Sequence, residues 1–113
     1  MNEELLKNIR NFWNSAELVY NSKDYTSATI LYFKCWFAAL DYIIFQSKKI
    51  TPKDHSERFQ ILEREFKDKY KEIDKNYVLY RQTYSFTIDK SKCDNIRKIV
   101  RDMLDEQQII KKN

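Results

Sequence analysis

Residues 28–45 read ATILYFKCWFAALDYIIF, the most apolar run in the chain. The run is long and greasy enough to imitate a membrane span. Lys34 and Asp41 interrupt it, however, and each costs roughly 2.5–3.5 kcal/mol at a bilayer centre. Extended to 25–48, the segment shows a second regularity. Ser27, Lys34, Asp41 and Lys48 recur every seven residues and share one narrow polar stripe, while nearly everything else is apolar or small. A helix exposed along a single stripe must be covered on several sides. The stretch therefore predicts the central helix of a soluble all-α bundle, with no membrane involvement and with part of its surface available to a second subunit.

Composition agrees. The 113 residues fit one domain spanning 1–113. There is no glycine, and the single proline is Pro52, so tight hairpins between strands are not expected. A hydrophobic fraction of 42% and an aromatic fraction of 15% provide enough material for a core. The net charge of +4 comes from 21 basic and 17 acidic residues whose signs are interleaved. That balance is compatible with nucleic acid, but it is also that of an ordinary solvated helical surface. Cys35 and Cys93 stand far apart with no CxxC or Cys/His cluster, so no metal site and no cofactor is expected, and the thiols fit a reducing cytoplasm. The opening Met1-Asn2-Glu3-Glu4 lacks the basic region of a secretory signal.

Outward from the central helix, the periodicity predicts four more. A first helix over 3–20 carries Leu5, Ile9, Phe12, Ala16 and Val19 at three- and four-residue spacing, widened by Trp13 and Tyr20. Asn21-Ser22-Lys23-Asp24 breaks it, and Asp24 or Thr26 can cap the central helix. Before the third helix, predicted over 56–73, either Thr51 with Pro52 or Asp54 with Glu57 suits a helix start. That helix aligns Phe59, Leu62, Phe66, Tyr70 and Ile73. A short helix over 75–85 places Tyr77, Tyr80 and Tyr84 in register. After a break at Thr87-Ile88-Asp89, a last helix over 90–111 buries Ile96, Ile99, Val100, Met103 and Leu104. Asp94/Lys98, Lys98/Asp102 and Arg101/Asp105 are spaced for surface pairing. The expected architecture is an antiparallel bundle of four long helices and one short one.

Few residues carry recognisable chemistry. Without glycine no phosphate-cradling loop of the Walker or Rossmann kind can form, and no HExxH occurs. His55 is the only histidine and sits in a capping segment beside Asp54 and Ser56, where a structural role is the simpler reading. Lys34 and Asp41 are two turns apart, too far for a direct pair within the helix; they fit either the lining of a cleft or, the simpler reading, the surface or an interface. Arg81, among the aromatics of Tyr80-Arg81-Gln82-Thr83-Tyr84-Ser85-Phe86, fits either a phosphate contact or a surface ion pair.

Two segments taken together resemble the HEPN (higher eukaryotes and prokaryotes nucleotide-binding) family, in its small stand-alone branch. They are Asp24-Tyr25-Thr26-Ser27-Ala28 leading into LYFKCWFAALDYII, and TPKDHSERFQILEREF followed by a charged stretch and LYRQTYSF. The resemblance covers about residues 10–105. It implies a helical bundle that dimerises. In many relatives it implies a metal-independent ribonuclease, often a toxin paired with a nucleotidyltransferase in a toxin–antitoxin or defence module. The family's site is an arginine that stabilises phosphate and a histidine shortly after it that moves the ribose hydroxyl proton. Arg81 matches the arginine, but no histidine follows it. Ser85 and Phe86 stand where the branch carries Asp and Tyr. Tyrosine, with an ordinary pKa near 10, is a poor base at neutral pH. The implied function is binding of nucleotide, RNA or a partner protein through a dimer cleft at Arg81, Tyr80 and Tyr84, without efficient cleavage. Arg81, Tyr84 and Ser85 are the candidates if cleavage survives, with His55, Asp41 and Lys34 in support. The alternatives are an active ribonuclease and a purely structural interaction subunit.

Overall fold

The computed structural model describes residues 2–110 and contains five helices: α1 (Asn2–Asn21), α2 (Tyr25–Lys48), α3 (His55–Glu65), α4 (Lys67–Gln82) and α5 (Lys90–Glu106). There is no strand among the described residues. Three helix starts are fixed by aspartates that accept a backbone N–H three residues on: Asp24 from Ser27 at 3.1 Å, Asp54 from Glu57 at 2.9 Å and Asp89 from Lys92 at 2.9 Å. Each such cap contributes about 1 kcal/mol. At α3 the Asp54–Glu57 box is the one used, since Glu57 also accepts from Lys53 N–H at 3.0 Å. Thr26 is not a cap; its hydroxyl accepts from Ile88 N–H at 2.7 Å and ties the α4–α5 turn to the start of α2. With no glycine to hand, helix ends and turns place Lys23, Lys49 and Gln108 in the left-handed region, at φ 69°, 62° and 61°, which costs each roughly 1–2 kcal/mol.

Several boundaries differ from the sequence expectation, α4 among them ending at Gln82 rather than at residue 85. The chain breaks at Phe66, where φ is −137° and ψ 61°, and not near residue 74. Residues 73–75 run unbroken through α4, because Ile73, Tyr77 and Tyr80 keep one helical register and no residue there stops a helix. The short helix is therefore α3, of 11 residues, while α4 has 16. The last helix ends at Glu106, and Gln107–Ile110 turn back so that the Ile109 carbonyl accepts from Arg10 Nε at 3.1 Å. The expected end at Lys111 lies outside the described residues. Of the three surface pairs expected on α5, Lys98–Asp102 forms at 2.8 Å. Asp94 pairs backwards with Lys90 at 2.9 Å, and no Arg101–Asp105 ion pair forms among the described residues.

The stretch over α2 is central, as its single polar stripe requires. Twelve of its residues are buried, among them Tyr32, Phe33, Trp36, Leu40 and Ile44. It passes a length-and-composition test for a membrane span, yet most of that apolar surface is covered by the other helices. Alpha1 packs along one side through Ile9, Trp13 and Ala16, and α5 along another through Ile96, Val100 and Leu104. Alpha3 and α4 pair with each other and close the remaining side. Trp36 stacks on Phe33 at 5.6 Å and is fully buried. Truncating it to alanine removes about 3–5 kcal/mol.

Candidate functional site

The polar stripe of α2 faces α3. Asp41 accepts two hydrogen bonds from Arg58, at 2.6 Å from Nε and 2.9 Å from Nη2. Further along, Lys48 meets Glu65 at 2.8 Å. The Arg58–Asp41 pair is nearly dry, with side chains 11% and 15% exposed, and the guanidinium lies 5.3 Å from the Phe37 ring centre. Its third nitrogen, Nη1, stands 2.6 Å from Nδ1 of His55. The Asp54 cap sets that contact, because it starts α3 at His55 and places Arg58 one turn on, on the same face.

The geometry fixes the chemistry of the ring. Arginine has five N–H donors and no acceptor. His55 Nδ1 must therefore accept, and the proton of the neutral ring sits on Nε2. Protonating Nδ1 would set two donors against each other. The pKa of His55 is lowered accordingly, first by burial and then by the charges of Arg58 and Lys34, against a smaller opposing pull from Asp41 and Asp54. The ring is packed edge-on against Phe37 at 4.6 Å and against Tyr77 and Tyr80 at 5.9 and 6.2 Å, yet the residue remains exposed. Lys34, Asp41, His55 and Arg58, with Phe12 and Tyr80 behind them, line an open pocket of about 230 Å³. Lys34 is exposed, and among the described residues nothing pairs with its ammonium.

The other residues singled out in the sequence fall around this pocket. Tyr80 is buried against Phe33, Phe37 and His55 and lines the pocket wall, so its ring faces are taken by protein. Its hydroxyl is pushed up to about 12 by burial, then by hydrogen bonding to Tyr84 and the fields of Tyr84 and Tyr77. It is no base at neutral pH. Arg81 is exposed in the last turn of α4, about 100° round the helix from Tyr80. Among the described residues no ion pair or hydrogen bond holds its guanidinium, so the surface ion pair envisaged for it is not formed. Tyr84 and Ser85 lie in the turn after α4, and Tyr84 is 74% exposed with its ring 5.8 Å from that of Tyr80. The structure thus gathers Lys34, Asp41, His55 and Tyr80, with Tyr84 next to them. Arg58 is the member that sequence reasoning missed. Its spacing of three from His55 was visible, but its partner Asp41 is 17 residues away on another helix.

A second polar cluster joins α1, α2 and α5. Arg97 donates to Glu17 at 2.7 and 2.9 Å and lies 4.5 Å over the Tyr20 ring. The Tyr32 hydroxyl donates to Glu17, and the Tyr20 hydroxyl donates to Asp94, which also holds Lys90. Burial raises the Glu17 pKa, but the hydrogen bonds from Arg97 and Tyr32 outweigh it and the net shift is downward. Tyr32 is driven far above its ordinary range by burial and by Glu17. These groups satisfy one another. Two larger depressions, of about 490 Å³ beside Asn8 and Phe45 and about 420 Å³ between α4 and α5, bring neither histidine nor arginine to their walls. Cys35 and Cys93 are both buried, and burial pushes the Cys35 thiol up to about 12. Among the described residues no cluster of His, Cys, Asp and Glu is arranged to hold a metal ion. No protein-family model, curated protein or solved structure matches this chain.

Proposed function

We propose that the chain is a HEPN-like helical protein that binds a phosphate-bearing ligand, nucleotide or RNA, at the His55 pocket and does not cleave it efficiently. The observation that carries this reading is the Arg58 Nη1 contact to His55 Nδ1 at 2.6 Å. It leaves the imidazole neutral, with its proton on Nε2. A ring in that state donates a hydrogen bond to a phosphate oxygen, but it has no free lone pair with which to take the proton of a ribose hydroxyl. Lys34 supplies the charge; Arg81, on the same helix as Tyr80, is not part of the pocket lining. The HEPN resemblance adds a homodimer, a nucleotidyltransferase-type partner and a cytoplasmic setting to the same proposal.

The test is incubation of the protein with labelled RNA in chelator, scored for binding and for cleavage. Binding without cleavage is expected. Lys34→Ala should reduce the dependence of log K on log salt by about 0.7, the loss of one phosphate contact on a single strand. Cleavage by the wild type that disappears in Arg81→Ala and His55→Ala would overturn the non-catalytic reading. A second reading, a protein-interaction subunit, is favoured by one observation: Val78, Tyr84 and Phe86 are large apolar side chains left exposed on α4 and the turn after it. Absence of any RNA binding, together with a dimer dissociated by Phe86→Asp, would select it.

A further inference from the structure

We infer that the His55 pocket takes the phosphodiester monoanion within a single-stranded oligonucleotide in preference to a terminal phosphate monoester. This rests on the phosphate-binding reading above and names its ligand more closely. The first argument is charge. Of the charged groups lining the pocket, Arg58 is cancelled by Asp41 at hydrogen-bond distance, and His55 is neutral. That leaves one uncompensated cation, Lys34, with the Asp54 carboxylate acting on the ring from the α3 cap. A phosphodiester carries one negative charge and matches it. A terminal phosphate carries about −1.5 to −2 at neutral pH. Its second charge would find no further uncompensated cation in the pocket lining.

The second argument is size. A pocket of about 230 Å³ is smaller than the roughly 300–1,000 Å³ that drug-sized ligands occupy, and it holds a phosphate and part of a ribose without a base. The base must lie outside. Tyr84 stands there, next in the row of rings that runs from Phe37 through Tyr80 to the surface. Its exposed ring can stack on any base without reading sequence.

The experiment follows the His55 ring ¹⁵N–¹H signals at pH 7.5. The dinucleoside monophosphate UpU, which has one diester and no terminal phosphate, is titrated alongside UMP, dimethyl phosphate and inorganic phosphate. UpU is expected to shift the His55 signals and to bind about tenfold more tightly than UMP, with dimethyl phosphate ahead of inorganic phosphate. Tyr84→Ala is expected to reduce UpU affinity about tenfold and to leave dimethyl phosphate unchanged. UMP or inorganic phosphate binding more tightly than the diesters would overturn this inference alone. UpU affinity unaffected by Tyr84→Ala would overturn the placement of the base. If no probe moves the His55 signals, the phosphate-binding reading itself fails.

Discussion

Two arginine–carboxylate pairs clamp this bundle from opposite sides of α2, and they end differently. Arg97 reaches Glu17 among tyrosines whose hydroxyls also find acceptors, so the cluster closes on itself. Arg58 reaches Asp41 with the same two-toothed geometry but passes its remaining donor to a histidine that is itself exposed. A closed network fixes the fold. An open one does that and also holds a polar group toward solvent in a chosen tautomer. The same pairing chemistry thus serves packing on one side and a candidate site on the other.

Cutting each pair sharpens the contrast most. Arg58→Met should lower unfolding free energy in urea by about 3 kcal/mol, since it strands Asp41 in a nearly dry wall. Arg97→Met should cost less, about 1–2 kcal/mol, because at 28% exposure Glu17 keeps water and the Tyr32 hydroxyl. Equal losses would break the comparison. Replacing both Asp41 and Arg58 by leucine and methionine should recover much of the first loss while abolishing RNA binding.

Acid separates the two sides next. The folded pKa of His55 lies below its ordinary value of 6.5, so the unfolded chain binds its proton first. Stability falls as pH drops from about 6.5 toward the lowered value and loses nothing more from this group below it. Glu17 is also lowered, from 4.5, so its contribution is present above pH 4.5 and is lost as pH falls through the folded value. Chemical denaturation across pH should show the first loss vanish in His55→Asn and the second in Glu17→Gln. A first loss that survives His55→Asn would assign it elsewhere.

Smallest are the backbone effects. Each side has a lysine in the left-handed region, Lys23 in the α1–α2 turn and Lys49 at the end of α2. Lys23→Gly and Lys49→Gly should each raise stability by about 0.5 kcal/mol, the relief of Cβ strain less the entropy of glycine in the unfolded chain. Thermal melts would show destabilisation instead if either lysine side chain mattered more.

Much of this molecule was legible in its residues. The heptad stripe of α2 and the absence of glycine led to an all-helical bundle with the right central element, and Asp24 and Asp54 were among the caps considered, while the Asp89 cap was seen only as part of a break. The break at Phe66 was not legible, because neither glycine nor proline marks it and Phe66 also fits the apolar face on both sides. Of the site, His55, Lys34 and Asp41 stood out individually, and the tyrosine row of α4 was in register. What joined them was Arg58, one arginine among many charged residues. Contacts between residues 17 or 80 positions apart leave no local periodicity to read.

The joint at Phe66 has a kinetic consequence. Alpha3 is the shortest helix; it packs chiefly on α4, buries only Ile61 and Leu62 in the core, and touches α2 over a small area joined by Arg58–Asp41 and Lys48–Glu65. Opening it exposes far less apolar surface than separating α2 from α1 or α5. Its amides should therefore exchange with deuterium through a local excursion that leaves the rest of the bundle intact, while those of α2 wait for global unfolding. In each such excursion Arg58 leaves Nδ1 and the imidazole is briefly an ordinary one, so the ring tautomer is renewed on the timescale of one helix lifting and settling.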